Sequence, residues 1–423
     1  MLAPLLAAAA CPAPPPLAAP RADRPQYALN VRVEPGFGRV RGDVRVHFTA
    51  NRPTDRLVFR LWPNGPYQRD DGQRLDVGAV RENGKRLSSE RPNPTTLVVR
   101  LGRRLADGES VTVELPWTLR VPSGGRDRIA GFFGGLRLGS FFPILAWDPD
   151  RGWVMDPPAR FLAESSTTPT ADFEVRVRAP RGARAVVSGT PVGHDRWQAR
   201  AVRDVAVAVG PFHVITATAH VPRPVSVRVA STGPSSVSPR RVLRTATDSI
   251  ERLSRLYGAY PWRTYTVVVP PGIGGLGIEY PTLSFVGYLA TTIVVHHETG
   301  HQWFYSLVGN DQYRDPWLDE TGATWAQTRL GSPLLAPPSG QVAHVGESIA
   351  YWDKHQQRYY LEAYGGGVAA LRSLGPAARV DCALRLYVAR NAYRIARPGD
   401  LLDALNAVFP GAEAKLRRFG IHR

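Results

Sequence analysis

Apolar and polar residues alternate along most of the first half of the chain, where Gly and Pro interrupt them at short intervals. The alternation is visible in Leu29-Asn30-Val31-Arg32-Val33, in Val44-Arg45-Val46-His47-Phe48 and in Phe173-Glu174-Val175-Arg176-Val177-Arg178. A period of two separates the side chains onto the two faces of a strand, so the pattern predicts an antiparallel β domain with one buried face, running from Tyr27 to about Val229. No fixed-period repeat is visible, which argues against a propeller.

The pattern changes near Pro234-Ser235-Ser236. Apolar residues then follow helical spacing as far as Gly258, and Thr264 to Val269 is typical of a strand. Further helices are predicted over residues 292–307, 320–330, 364–373, 380–390 and 399–408. The fold class predicted is therefore α+β in two domains, with a saddle- or sandwich-like β domain first. The predicted divisions are a leading segment over 1–24, the β domain over 25–232 and a mainly helical domain over 233–423.

Composition narrows the choice of partners. The chain has 423 residues, too many for one ordinary core, and 43% of them are apolar, as in globular proteins. Its formal charge of +17 suggests nucleic-acid binding, because clusters of basic residues neutralise phosphate groups. However, Lys85, Lys354 and Lys415 are the only lysines, and the other 50 of the 53 basic residues are arginines scattered along the chain. Nucleic-acid binding is not predicted, while attraction to an anionic surface stays open.

The amino-terminal segment resembles an export signal. Met1 to Ala10 is a short apolar run, too short to span a bilayer, and Pro12 to Pro20 is Pro-rich. Ala8-Ala9-Ala10-Cys11 resembles a bacterial lipoprotein cleavage site without its leading Leu, so a lipidated Cys11 would attach the protein to a membrane. The alternatives are a truncated signal or an inert tail on a cytoplasmic protein. Cys382 fits a helix core, and no disulfide between the two cysteines is expected.

The run His297-Glu298-Thr299-Gly300-His301 carries the chemistry. A four-residue step on a helix rotates by about 400° and rises by about 6 Å, so the two histidines lie on one face and can share a Zn²⁺ ion. Glu298 lies beside them, where it can reach a metal-bound water. The pattern would arise by chance in about 2% of such chains. The alternative interpretation is therefore a helix that happens to carry two ordinary histidines. His296 is expected to point elsewhere.

A third ligand follows on a second predicted helix. Glu320 lies eighteen residues beyond His301, across Gly309-Asn310-Asp311 and Asp315-Pro316, which favour turns that fold the helices back. Catalytic zinc takes three protein ligands and keeps one open position, so His297, His301 and Glu320 form a complete set. Asp315 and Asp319 are either partners that orient the histidines or ordinary capping and solvated carboxylates.

These motifs resemble the gluzincin aminopeptidases, the group of aminopeptidase N and leukotriene hydrolase. Trp317-Leu318-Asp319-Glu320-Thr321-Gly322-Ala323 is similar to the family's third-ligand motif, with Asp for Asn and Thr-Gly for Gly-Phe. The resemblance implies a β domain that covers one side of the cleft and a thermolysin-like catalytic domain with one Zn²⁺. It also implies a short form, since larger relatives continue into a further helical domain.

The resemblance also implies the substrate site. The family's Gly-x-Met-Glu-Asn loop is matched by a Gly-rich stretch that contains Gly275, Gly277 and Glu279, with Tyr280 in place of Asn, and its Glu would grip a substrate's amino terminus. The oxyanion tyrosine is matched by Tyr364, with Gly366 where Lys would stand. The second amine anchor of the amino-terminal domain has no counterpart that the sequence reveals.

The prediction is a zinc-dependent aminopeptidase in which Glu298 activates the attacking water and Tyr364 stabilises the oxyanion. Its partner would be a peptide. One alternative is a zinc endopeptidase on the same scaffold, and another is a non-catalytic cell-surface interaction protein that keeps the fold. The sequence predicts no side-chain preference and no oligomeric state. Two imidazoles and one carboxylate favour zinc over Mn²⁺ or Co²⁺.

Overall fold

The computed structural model describes residues 11–125, 128–160, 167–232, 237–289, 291–334 and 342–423. The apolar run from Met1 to Ala10 and the segment Pro234-Ser235-Ser236 lie outside the described residues. In the part that is described, no helix has both the length and the apolar character that a membrane crossing requires.

The largest sheet confirms the β domain read from the alternation. Among the described residues it has nine strands, in the order Thr190–Pro191, Arg196–Val202, Ala171–Arg178, Gln26–Val33, Arg39–Thr49, Ser110–Arg120, Arg81–Glu82 and Lys85–Arg86, with Arg74–Val77 also beside Ser110–Arg120. Exposed and buried residues alternate strictly along Gln26–Val33. This strand pairs in parallel with Ala171–Arg178, so the sheet is not purely antiparallel. A long connection separates the two strands, and parallel pairing requires one.

Smaller sheets complete this domain. One contains Ile144–Leu145, Thr54–Arg60, Thr96–Leu105 and Ser88–Asn93, another contains Ala130–Phe132, Gly135–Leu138, Val207–Gly210 and Arg184–Val187, and Trp147–Asp148 pairs with Gly152–Trp153. A short 3-10 helix, Trp62–Asn64, and the helix Pro66–Asp70 connect strands. Aromatic side chains fill the core between the sheets. The Tyr27 ring stacks on Phe173 at 4.4 Å, and Phe48 meets Trp147 edge to face at 5.4 Å.

A five-stranded sheet begins the second half of the fold. Its strands are His213–Ala219, Val225–Ser231, Thr264–Val269, Leu283–Val286 and Gly277–Tyr280. The first two of these strands precede residue 233, so the sheet that carries the Gly-rich stretch already starts within the predicted β domain. The helix Pro239–Tyr257 packs on the sheet and ends at Gly258, whose φ of 109° suits glycine.

The remaining elements are mainly helical, as predicted. They are Thr292–Gly300, Trp317–Arg329, Ile349–Trp352, Gln356–Tyr359, the π-helix Tyr360–Gly366, Gly367–Arg372, Ala377–Asn391, Pro398–Val408, Ala412–Leu416 and the 3-10 helix Arg417–Phe419, with a small strand pair, Gly309–Asn310 and Ile395–Ala396. The predicted helix over 292–307 is wrong in its second half, because the helix ends at Gly300. Beyond it the chain folds into turns, and Tyr305 adopts a φ of 123°.

The expectation of two unlinked cysteines is wrong. Cys11 and Cys382 form a disulfide, with their Cα atoms 5.8 Å apart. The Pro-rich stretch after Cys11 is not a loose tether, since Leu17 and Ala18 pack on the core and the Ala18 N–H donates to the Ala389 carbonyl at 2.9 Å. The residues are 371 positions apart in sequence, which hides their proximity. In this form the Cys11 sulfur is not available for a lipid.

Candidate metal centre

The helix Thr292–Gly300 and the turn after it bring the predicted ligands together. His297 occupies the last turn of this helix and His301 caps its end, which places their Nε2 atoms 3.1 Å apart. Glu320, from the helix Trp317–Arg329, places its Oε2 3.3 Å from the His297 Nε2 and 3.4 Å from the His301 Nε2. The eighteen-residue connection therefore folds back, as the turn signals predicted.

Two glycines allow the two helices to approach closely. A Cβ on Gly300 would lie 3.0 Å from the Ala323 Cα, and one on Gly322 would lie 2.4 Å from the Phe304 ring. A methyl group on Gly300 would force the two helices apart, and one on Gly322 would force the helix Trp317–Arg329 away from the turn that holds Phe304, because these contacts are shorter than normal packing distances. Glu320 reaches the histidines because the helices can cross at this short distance. The sequence analysis did not assign these glycines a role.

Hydrogen bonding and stacking orient the imidazoles. The His301 Nδ1 lies 3.0 Å from the Phe304 carbonyl, which can only accept, so Nδ1 carries a proton and Nε2 is the ring nitrogen that faces Glu320. The His297 ring stacks on Tyr364 at 5.5 Å with 13° between planes. Neither predicted aspartate orients a histidine through a hydrogen bond given for the described residues. Asp319 instead accepts from the Asn310 amide at 3.0 Å and from the backbone N–H of Glu320 at 3.1 Å.

The three ligand atoms fit a zinc ion. They lie within 4.8 Å of one another, and Glu320 is 3% exposed, with an Oε2 that has no hydrogen-bond donor of its own. Zinc bonds of about 2.0–2.1 Å at tetrahedral angles separate ligand atoms by about 3.3 Å. The observed separations of 3.1–3.4 Å match this value. Two imidazoles and one carboxylate are also a donor set that zinc takes in hydrolases.

The charges of the cluster act strongly on one another. Burial raises the pKa of the Glu298 carboxyl well above its usual value, and the carboxylates of Glu279 and Glu320 raise it further. For Glu320, burial opposes ionisation, but the two imidazoles overcome it and lower the pKa of its carboxyl. Burial likewise acts to lower the pKa of His301, yet Glu320 and the other carboxylates raise it. A buried cluster of this kind is typical of catalytic sites.

Glu298 lies against the Gly-rich stretch. Its side chain is buried, its Oε2 has no hydrogen-bond partner among the described residues, and a Cβ on Gly277 would lie only 2.2 Å from its Oε1. Gly277 therefore leaves the room that the Glu298 carboxylate occupies. Nothing lies within 4 Å of a Cβ on Gly275, so the space in front of that residue is open.

Glu279 is present in the strand Gly277–Tyr280, but it is not alone. It is 5% exposed, and its Oε1 accepts hydrogen bonds from both terminal nitrogens of Arg128, at 3.3 and 3.4 Å. Arg128 comes from the β domain, two residues before the strand Ala130–Phe132. The sequence analysis did not single out Arg128, because nothing in the sequence distinguishes it from the other arginines. Only the fold shows that it is buried beside Glu279.

Tyr364 lies in the π-helix Tyr360–Gly366 and is the tyrosine of its group that reaches the metal ligands. Tyr359 is fully buried and Tyr360 is 52% exposed, whereas Tyr364 stacks on His297. Burial raises the pKa of Tyr364 well above its usual value, and Glu320 raises it further, so the phenol keeps its proton. Gly366 leaves room for the Val342 side chain, since a Cβ on residue 366 would lie 2.5 Å from it.

Known proteins resemble the chain in sequence and in fold, although no protein-family model matches it. Aminopeptidase RNPEPL1 of Mus musculus is 26% identical over 200 residues, which are 37% of this chain and 26% of that protein. Aminopeptidase B of Rattus norvegicus is 34% identical over 88 residues, 19% of this chain and 14% of that protein. The chain thus spans about a quarter or less of these relatives.

The M1 zinc metallopeptidase from Deinococcus radiodurans matches with a TM-score of 0.70 at 23% identity, over 94% of this chain and 93% of that one. The match establishes the two-domain fold across nearly the whole chain. The converged His297, His301 and Glu320 and the likeness to the curated aminopeptidases agree with it. The chain therefore shares the fold of this M1 zinc metallopeptidase, and part of it is similar in sequence to aminopeptidases.

Proposed function

We propose that this protein is a zinc-dependent aminopeptidase that removes amino-terminal residues from peptides. The observation that carries the proposal is the convergence of His297, His301 and Glu320 beside the buried carboxylate of Glu298. A metal site with a structural role has no need of an additional unpaired carboxylate at its edge, so a non-catalytic role is not favoured.

The ligands would hold the zinc through the Nε2 atoms of His297 and His301 and through Oε2 of Glu320. When bound, zinc supplies a Lewis acid that lowers the pKa of a water toward about 7 and polarises the scissile carbonyl. Glu298 would accept the proton of the attacking water on its unpartnered Oε2 and deliver it to the leaving amine. Burial and the neighbouring carboxylates raise the pKa of Glu298, which makes its carboxylate a better proton acceptor than an exposed one.

Tyr364 would donate its phenolic proton to the oxyanion of the tetrahedral intermediate, as its position over His297 permits. Glu279 would accept the substrate's ammonium group, and the open space at Gly275 would admit the substrate backbone. A peptide substrate is supported by a variant of the Deinococcus radiodurans enzyme, described as bound to the substrate Tyr-Ser-Ala. That structure matches at a TM-score of 0.67 and 23% identity, over 95% of each chain.

The replacement Glu298→Gln tests the mechanism. It should keep the fold and one zinc per chain, because Glu298 is not a ligand, and should lose nearly all hydrolysis of free-amine aminoacyl reporters. Glu347→Gln, at a carboxylate on the protein surface, is the matched control and should retain activity. Undiminished turnover by Glu298→Gln would sink the mechanism. Wild-type turnover that survives chelation of the zinc would do the same.

An endopeptidase remains a second candidate, because Arg128 shares the carboxylate that would hold the substrate's amino group. Matched peptides with free and acetylated amino termini separate the two functions. An aminopeptidase cleaves the free peptide faster, and an endopeptidase cleaves both at internal bonds.

We also propose that the protein is exported to an oxidising compartment. The Cys11–Cys382 disulfide supports export, because disulfides persist mainly outside the cytosol. Mass spectrometry of the native protein without reductant should find the linked Cys11 and Cys382 peptides. A diacylglyceryl group on Cys11, or two free thiols, would contradict this proposal.

A further inference from the structure

We infer that Arg128 is a specificity-determining residue that weakens the enzyme's preference for a free amino terminus. The inference rests on the proposed function and concerns one carboxylate, Glu279. In the protein as folded, the group that would bind the substrate's ammonium already has a guanidinium partner from the other domain. The site therefore offers an incoming ammonium a neutral ion pair in place of a lone negative charge.

The ion pair is buried. The side chains of Arg128 and Glu279 are 9% and 6% exposed, and the guanidinium lies 5.9 Å from the Trp62 ring and 5.7 Å from the Tyr280 ring. Surface ion pairs contribute little because water screens them, but water does not screen this pair in the same way.

A chain of hydrogen bonds anchors the same guanidinium to the β domain. The Arg128 Nη1 donates to the Tyr280 hydroxyl at 3.4 Å, this hydroxyl lies 3.2 Å from the Ser140 Oγ, and Ser140 donates to the Asp204 carboxyl at 3.1 Å. Arg128, Ser140 and Asp204 belong to the β domain, whereas Tyr280 follows Glu279 in the five-stranded sheet. The network thus fixes the position of the guanidinium relative to Glu279 from both domains.

The geometry leaves one oxygen for the substrate. Both guanidinium bonds reach Oε1 of Glu279, and no hydrogen bond from a described residue reaches Oε2. An ammonium bound at Oε2 would gain a charge-assisted hydrogen bond but would also feel the positive charge of Arg128 close behind. Attraction and repulsion partly cancel. A peptide with an uncharged, acylated amino terminus therefore loses less binding energy, relative to the free-amine peptide, than it would beside a lone carboxylate. The substrate class is thus extended to peptides with blocked amino termini.

The experiment compares one fluorogenic peptide with a free and with an N-acetylated amino terminus. The quantity measured is the ratio of kcat/KM for the two forms. Arg128→Gln removes the charge and keeps donors for Glu279 and Tyr280, so the ratio should rise at least about tenfold in favour of the free amine. Arg128→Lys keeps the charge and should keep the wild-type ratio. Arg60→Gln removes another buried arginine of the β domain, bonded to Thr95 and Thr96, and should leave the ratio unchanged.

The pH dependence separates a charge effect from a loss of structure. A peptide's α-amino group has a pKa of about 8, so the gain in Arg128→Gln should be present at pH 7 and should fade at pH 9. Calorimetric titration with L-tyrosinamide and N-acetyl-L-tyrosinamide should show the same change in preference without turnover. Melting temperature and zinc content are measured for every variant.

The outcomes distinguish this inference from the proposed function. If zinc-loaded wild-type enzyme cleaves neither peptide, the proposed function is wrong. If it cleaves the free peptide, but the ratio in Arg128→Gln is unchanged or lower, the inference about Arg128 is overturned. A higher ratio that does not depend on pH also overturns it, since the ammonium charge would then have no part in the effect.

Discussion

The replacement Gly277→Ala should inactivate the enzyme by displacing Glu298. A Cβ on residue 277 would lie 2.2 Å from Oε1, 2.4 Å from Cδ and 2.5 Å from Cγ of Glu298. Non-bonded carbon atoms approach to about 3.5 Å, so the Glu298 side chain would have to retreat by roughly 1 Å. The change adds one methyl group and touches none of the three metal ligands.

The size of the effect follows from this displacement. A misplacement of about 1 Å in a catalytic group costs about 10²-fold in rate, and kcat should fall by that factor. Glu298 is only 3% exposed and has little free space around it. Overpacking a buried site typically lowers the free energy of unfolding by about 1–3 kcal/mol. Melting temperature should therefore fall by several degrees, at roughly 2–4 °C for each kcal/mol in a domain of this size.

The assay combines kcat and KM for a free-amine aminoacyl reporter with zinc per chain and melting temperature. Zinc should stay at the wild-type level, which separates a displaced base from a lost metal. Gly38→Ala is the matched control, because a Cβ there meets nothing within 4 Å and its φ is not positive, so all four quantities should be unchanged. If Gly277→Ala keeps wild-type kcat, the position of Glu298 against residue 277 is not what the structure indicates.

Three further predictions follow from the contacts described above. Tyr364→Phe should lower kcat by about 10²–10³-fold with zinc retained, and an unchanged kcat would exclude Tyr364 as the oxyanion donor. Cys382→Ser should destabilise the fold by several kcal/mol, since disulfides typically contribute about 2–4 kcal/mol and this one joins residues 371 positions apart. Reductant should lower the melting temperature of the wild type but not of that variant. Burial raises the pKa of Asp204 to about 7, so the folded state keeps a proton that the unfolded state loses above about pH 4. Stability should decrease as pH rises from about 4 to 7, and Asp204→Asn should flatten that decrease in denaturant unfolding.

The sequence was sufficient to predict that His297 and His301 lie side by side, because helical geometry fixes their spacing. The spacing of His297 and His301 places two imidazoles on one face whatever the rest of the chain does, and only the fold-back of Glu320 required turns. Strand alternation likewise predicted the strands Gln26–Val33 and Arg39–Thr49, because a buried sheet face imposes a period of two on the residues.

What the sequence did not predict depends on contacts between distant residues. The helix that begins at Thr292 ends at Gly300, because packing of the following turn against Gly322 overrides the apolar pattern that continues to residue 307. The disulfide requires the amino-terminal stretch to lie on the helix Ala377–Asn391, and nothing local in either segment specifies that contact. Arg128 is of the same kind, since its role depends on the carboxylate that it meets.

Tyr280 and Gly139 also fit one another in space. The Tyr280 side chain needs space that Gly139 provides, since a Cβ on Gly139 would lie 2.1 Å from the Tyr280 hydroxyl. The hydroxyl in turn contacts Ser140 and Arg128, so the β domain contributes a bonded cation beside Glu279. Arg128 thus meets Glu279 across the domain boundary, while His297, His301 and Glu320 converge beside the buried Glu298.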